Sequence, residues 1–187
     1  PAMTKRMFKP VHQIFGDDLY CLIAGGAAID PKVIIELEAM GLPIIQGYGM
    51  TENAPIIAVN PDRYSKANAA GKPMPGTEVR IIDKDETGIG EIICKGPSVM
   101  MGYYKDPENT AKTIVNGWLQ TGDYGYMDED GFVYVTGRKK NVIVTKGGKN
   151  IFPEEVEYYL LLNPYINEVM VYGKPDSRGD LICTAII

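Results

Sequence analysis

The sequence predicts an α/β fold: a parallel α/β unit, then a β-rich subdomain, then the start of a small α+β unit. Three observations carry this. Two short apolar runs stop at glycine-rich stretches with a capped amphipathic segment between them. The middle of the chain alternates strand-like runs with turn dipeptides. The period changes again after a basic stretch near residue 138. With 45% hydrophobic and 23% charged residues among 187, the chain has enough apolar material for a core and is neither disordered nor fibrous.

The elements follow in order. Residues 19–24 are an apolar run that ends at Gly25-Gly26, the pattern of a buried strand entering a glycine turn. Asp30-Pro31 opens a helix, with Asp capping the free amides and Pro suited to the first turn. Val33, Ile34, Leu37 and Met40 give that helix an apolar face, and Gly41 stops it. Residues 42–46 form a second strand leading into Gln46-Gly47-Tyr48-Gly49-Met50-Thr51-Glu52. Strand, helix and strand at this spacing imply a parallel pair, whose carboxyl ends are where open α/β sheets hold ligands.

After Gly71–Gly76 the pattern turns to β. Residues 77–82 and 91–95 read as strands joined by a turn-rich link, and Asp106-Pro107-Glu108 starts a helix. Tyr124–Met127 and Phe132–Val135 flank Asp128–Gly131, a hairpin. This section is expected to be a small barrel or curled sheet. Gly137–Asn141 interrupts the strands. A strand at 142–145, a Gly147-Gly148 turn, a helix from Pro153 and strands at 168–173 and 181–187 complete the third unit. The expected domains are 1–76, 77–138 and 139–187.

A net charge of −5 argues against nucleic acid or an anionic membrane surface as partner. No apolar run reaches the ~20 residues of a membrane span, and no leader pattern is visible. Cys21, Cys94 and Cys183 lack zinc spacing and read as reduced thiols of a cytoplasmic protein. Peripheral membrane association and oligomeric state are not legible. His12, the one histidine, has no nucleophile beside it in sequence and reads as structural.

Four polar clusters lie at ends of expected strands. Gly25-Gly26 offers close backbone approach. Thr51 offers a hydroxyl for phosphate, and Glu52 a hard oxygen ligand for Mg²⁺. Asp123, in Thr121-Gly122-Asp123, suits the paired hydroxyls of a ribose, and Arg138 suits phosphate or ribose. Together they make a set for a nucleotide. Bland alternatives stand beside each: a capped glycine turn at 46–52, a turn cap at Asp123, a surface ion pair at Arg138.

The order of these clusters resembles the adenylate-forming superfamily, and within it the long-chain fatty-acid–CoA ligases. Gln46–Glu52 is similar to its Tyr-Gly-x-Thr-Glu signature, Gly90–Gly96 to its Gly-Glu-Leu strand, and Gly117–Asp123 to its Trp-x-x-Thr-Gly-Asp motif. Gly137–Lys140 through Pro153–Glu157 resembles its hinge and following loop, and Met101–Tyr104 with Asp106–Glu108 also fits. Phe8–His12 and Gly147–Ile151 point to the fatty-acid branch. The resemblance implies ATP/AMP, Mg²⁺ and coenzyme A as ligands and a fatty acid as substrate. It implies Gly25, Gly26 and Ala27 along the adenine, and Gln46, Gly47 and Tyr48 around the base and acyl site. Thr51 would bind phosphate, Glu52 Mg²⁺, Asp123 the ribose, and Arg138 ribose or phosphate. Thr51, Glu52 and Arg138 would thus serve catalysis, Lys140 would be the hinge, and Gly147 and Gly148 would approach the pantetheine of CoA.

The chain also departs from the family. The Ser/Thr/Gly-rich phosphate loop with its lysine is not found in this sequence, nor is the late lysine of the small domain. The expectation is therefore a piece of a ligase that does not form acyl-adenylate unaided. The alternatives are a peptide-synthetase adenylation domain and a non-catalytic nucleotide-binding or interaction module.

Overall fold

The structure is a computed structural model that describes residues 2–16, 18–61 and 64–187. The chain opens with α1 (Ala2–Met7) and α2 (Lys9–Phe15). His12, on α2, is 5% exposed and its Nε2–H donates to the Met40 carbonyl at 2.9 Å. This is the structural histidine expected from sequence.

Next come β1 (Leu22–Ala24), α3 (Pro31–Ala39) and β2 (Ile44–Gly49). Asp30 caps α3 by accepting from the Lys32 amide at 2.8 Å, and Pro31 fills the first turn. Ile34 and Leu42 are buried. Val33, expected on the apolar face of α3, is exposed, because the stripe that meets β2 is narrower than the sequence face.

β1 and β2 pair in parallel, with Ala24 opposite Gln46. β3 (Ile56–Val59) and β4 (Lys72–Pro73) then add antiparallel strands, so the four-stranded sheet is mixed, in the order β1-β2-β3-β4. Gly71 leads into β4 at φ +111° and sits against the Val59 backbone, where a Cβ would stand 2.0 Å from the Val59 carbonyl carbon. Only glycine permits that approach.

The β-rich section contains β5 (Glu78–Ile82), β6 (Gly90–Lys95), α4 (Pro107–Thr113), β7 (Ile114–Val115), β8 (Trp118–Met127) and β9 (Val133–Arg138). Its strands form an open five-stranded sheet in the order β5-β6-β8-β7, with β9 also paired to β8. The expected hairpin is present. An open order, rather than a closed barrel, is the result.

The last section contains β10 (Ile143–Val144), β11 (Asn150–Ile151), α5 (Pro153–Leu161), β12 (Met170–Pro175) and β13 (Leu181–Ile186). β10 and β11 form one antiparallel ladder, β12 and β13 another. The fold is thus mixed α/β with an antiparallel β-rich section, as the sequence predicts.

The residues gather into two compact units. The first holds residues up to Arg80 with Ile93–Gln120 and Met127–Tyr134. Ile57, Cys94 and Leu119 form its innermost cluster, with Tyr48, Met50 and Val79 packed against them. The second holds Ile81–Ile92, Thr121–Tyr126 and Val135–Ile187. There α5 lies on β12, and the Glu157 carboxylate accepts from the Val171 amide at 2.7 Å. Tyr124 and Phe152 meet edge to face at 6.1 Å.

Candidate functional site

In the first unit, Gly25, Gly26 and Ala27 are exposed and follow β1 directly. Gly25 and Gly47 lie together: a Cβ on Gly25 would sit 3.4 Å from the Gly47 carbonyl oxygen. Of the stretch 46–52 expected to form a glycine turn, residues 46–49 are strand. Gln46, Gly47 and Tyr48 lie within β2, because Gly47, Tyr48 and Gly49 pair with β3 instead. The Gln46 Oε1 is enclosed and has no hydrogen-bond partner among the described residues. An enclosed amide oxygen without a donor is an unmet acceptor, and it lies on the strand the sequence assigns to the base.

The chain turns one step later, at the 3₁₀ segment Thr51–Asn53. Asn53, which the sequence reading passed over, holds this turn. It is 0% exposed. Its Nδ2 donates to the Ile56 carbonyl at 2.8 Å, and its Oδ1 accepts from Ser98 Oγ at 3.4 Å. The turn presents Thr51 exposed and Glu52 half-buried. Tyr103 Oη donates to Glu52 Oε1 at 2.8 Å. Hydrogen bonding to that carboxylate raises the Tyr103 pKa.

In the second unit, Thr121-Gly122-Asp123 lies inside β8 and not at a strand end. The physical reason is a local kink held by a hydroxyl. Thr121 Oγ1 donates to the Ile92 carbonyl at 2.6 Å and accepts from the Asp123 amide at 3.1 Å. This accommodates Gly122 at φ +68° without ending the strand. Asp123 is therefore no turn cap. It is 4% exposed and pairs with Arg138 Nε at 3.0 Å. The structure thus brings together the two residues assigned to ribose and phosphate.

Gly137 and Arg138 are the last residues of β9, so the interruption starts two residues later than expected, at the 3₁₀ segment Lys139–Asn141. Lys139 Nζ contacts Glu91 Oε2 at 2.5 Å, with the Glu91 side chain 5% exposed. That hydrogen bond raises the Lys139 pKa. Both lie in stretches that carry the family resemblance, but their pairing, across 48 positions, is not legible in sequence. Lys140 is exposed and borders a recess of about 410 Å³ with Asn141, Glu154, Glu157 and Tyr172. Gly147 and Gly148 form the exposed turn between β10 and β11, closed by the Gly148 amide on the Thr145 carbonyl at 2.8 Å.

The described residues hold no group of three or more His, Cys, Asp or Glu placed to bind a metal. A Mg²⁺ that arrives with phosphate does not need one, since it takes one or two carboxylates and keeps phosphate and water as its other ligands. Glu52 beside Thr51 fits that donor set. No helix among the described residues is long and apolar enough to cross a membrane.

Residues 1–104 match the family model described as AMP-binding enzyme. A 2-succinylbenzoate–CoA ligase of Geobacillus kaustophilus is 40% identical over 179 residues, 92% of this chain and 36% of that one. A long-chain-fatty-acid–CoA ligase of Bacillus subtilis is 41% identical over 175 residues, 88% of this chain and 31% of that one. Among solved structures, o-succinylbenzoate CoA synthetase from Bacillus subtilis with its acyl-adenylate intermediate matches with a TM-score of 0.84 and 33% identity, covering 97% of this chain and 39% of that one. The same enzyme in complex with ATP and magnesium ion matches with a TM-score of 0.82. The chain spans about a third of the length of the two ligases and about two fifths of the solved synthetase. It belongs to the family of AMP-binding enzymes.

Proposed function

We propose that the chain carries part of the nucleotide site of an AMP-forming acid–CoA ligase. The observation that supports this best is Asp123: a carboxylate nearly out of solvent, inside a strand, ion-paired with Arg138. Burying a carboxylate is costly unless it is used or paired, and this pair matches the family motif at both positions.

Asp123 accepts from the ribose hydroxyls, and Arg138 holds Asp123 in place and adds a donor toward ribose or phosphate. Gln46, Gly47 and Tyr48 with Gly25, Gly26 and Ala27 hold the adenine, with Gln46 Oε1 as an acceptor for its amino group. Thr51 donates to phosphate, and Glu52 would hold Mg²⁺. When bound, Mg²⁺ would supply charge neutralisation at the phosphates. In the first step a carboxylate oxygen attacks the α-phosphorus, giving acyl-adenylate and pyrophosphate. In the second the CoA sulfur attacks the acyl carbon and the C–O bond to AMP breaks, the thiol proton leaving to solvent. The chain's part in both is to orient and to stabilise charge; no side-chain nucleophile is required. The division at 1–76, 77–138 and 139–187 serves this reading, with Lys140 as the pivot of the small domain and Gly147-Gly148 facing pantetheine.

For the acid, Phe8–His12 and Gly147–Ile151 support a fatty acid, and the relatives with that printed activity agree in kind. A second reading, 2-succinylbenzoate, is favoured by the other named relatives and by the solved synthetase. The 187-residue chain on its own is proposed to bind nucleotide without turning it over, since its sequence holds no glycine-rich loop with a phosphate-facing lysine. The test is ATP-dependent pyrophosphate release with palmitate, octanoate and 2-succinylbenzoate. The chain should release none with any acid. Release above background would overturn that part, and the acid that supports it would name the substrate.

A further inference from the structure

We infer that Tyr103 is a positioning residue for the Glu52 carboxylate, fixing the oxygen that takes the divalent cation of the bound nucleotide; this rests on the reading of Glu52 given above. The phenol O–H donates to Glu52 Oε1 at 2.8 Å. A hydrogen bond to an ionised oxygen is stronger than a neutral one and restricts the carboxylate's rotation. It leaves Oε2 as the oxygen to face a cation. Second partners of this kind orient metal-binding carboxylates, and their loss typically lowers metal affinity about 10–100-fold.

Tyr103 is partly exposed at 38%, so the phenol would be a weak anchor if its backbone moved. The backbone is fixed from three sides. The Met100 amide donates to the Glu52 carbonyl at 2.8 Å, tying the segment to the turn that carries Glu52. The Tyr103 amide donates to Thr110 Oγ1 at 2.9 Å, and that hydroxyl donates to the Asp106 carbonyl at 2.7 Å, at the start of α4. Gly102, at φ +147°, packs so closely that a Cβ would lie 2.7 Å from Thr110 Cγ2. Asn53 fixes the facing turn from within. Both ends of the Tyr103–Glu52 bond are thus held by hydrogen bonds of their own segments.

The test is calorimetric titration of the 187-residue chain with ATP, with and without Mg²⁺, and with AMP in chelator. The readout is the gain in ATP affinity that Mg²⁺ confers. Tyr103→Phe keeps the ring and should cut that gain about tenfold, leaving metal-free AMP affinity within twofold of wild type. Gly102→Ala, which keeps the hydroxyl but moves it, should do the same. Glu52→Gln should abolish the gain. If Glu52→Gln abolishes it and Tyr103→Phe retains it, the inference fails and the reading of Glu52 stands. If Tyr103→Phe lowers metal-free AMP affinity equally, its role is general structure and the inference fails. If the wild-type chain shows no gain, or Glu52→Gln keeps it, the reading of Glu52 fails and takes the inference with it.

Discussion

Replacing Lys139 by Met should cost stability, because it strands Glu91. The Glu91 side chain is 5% exposed, whereas the Lys139 side chain is 49% exposed, and the two meet at 2.5 Å. Breaking a fully buried pair costs about 3–5 kcal/mol, and an exposed pair about 0–1. With one partner buried and the other half in water, the expected loss is about 2 kcal/mol. For a chain of this size that lowers the melting temperature by about 4–8 °C. Glu91→Leu with Lys139→Met should recover much of the loss, since neither charge is then left unpaired. The pH dependence has a definite sign. The folded Lys139 pKa is raised, so its contribution is fully present below the unfolded value of about 10.4 and is lost as pH rises through the folded value. The gap between wild type and Lys139→Met should hold from neutral pH to about pH 9 and close above that unfolded value. Thermal denaturation followed by circular dichroism measures both. A Lys139→Met melt within about 1 °C of wild type at pH 7 would mean that Lys139 does not stabilise the buried Glu91 carboxylate.

Two other outcomes follow from buried groups. Asn53→Ala removes the donor of the Ile56 carbonyl inside the core and should cost about 2 kcal/mol; a melt unchanged from wild type would contradict it. Burial pushes the Cys94 thiol up to about 11, whereas Cys21 and Cys183 are half-buried. Thiol titration with Ellman's reagent at pH 8 should find Cys94 reacting only on unfolding, and prompt reaction of all three thiols would show that the core is open.

The main elements are legible in the sequence because local chemistry decides them. Asp30-Pro31 and Asp106-Pro107 start helices by capping, and Asp128–Gly131 turns a hairpin, whatever the rest of the chain does. The mixed character of the first sheet is not legible, since β3 is a short apolar run that gives no sign of its direction. Motif order named Asp123 and Arg138, but a glycine between polar residues reads as a turn. Only the Thr121 hydroxyl bonds show that it is a kink within a strand. Tyr103–Glu52 and Lys139–Glu91 bring together side chains 51 and 48 positions apart. No periodicity encodes such pairs; the sheet and the turns that place them do.

The proposed AMP site is built on Asp123. Calorimetric titration of the 187-residue chain with AMP, and with NAD and GTP as controls, tests it directly. AMP should bind, NAD and GTP should not, and Asp123→Asn should weaken AMP about tenfold or more, as for a lost hydrogen bond to a charged group. No heat with AMP, or an Asp123→Asn variant that is folded and binds AMP as wild type does, would contradict it.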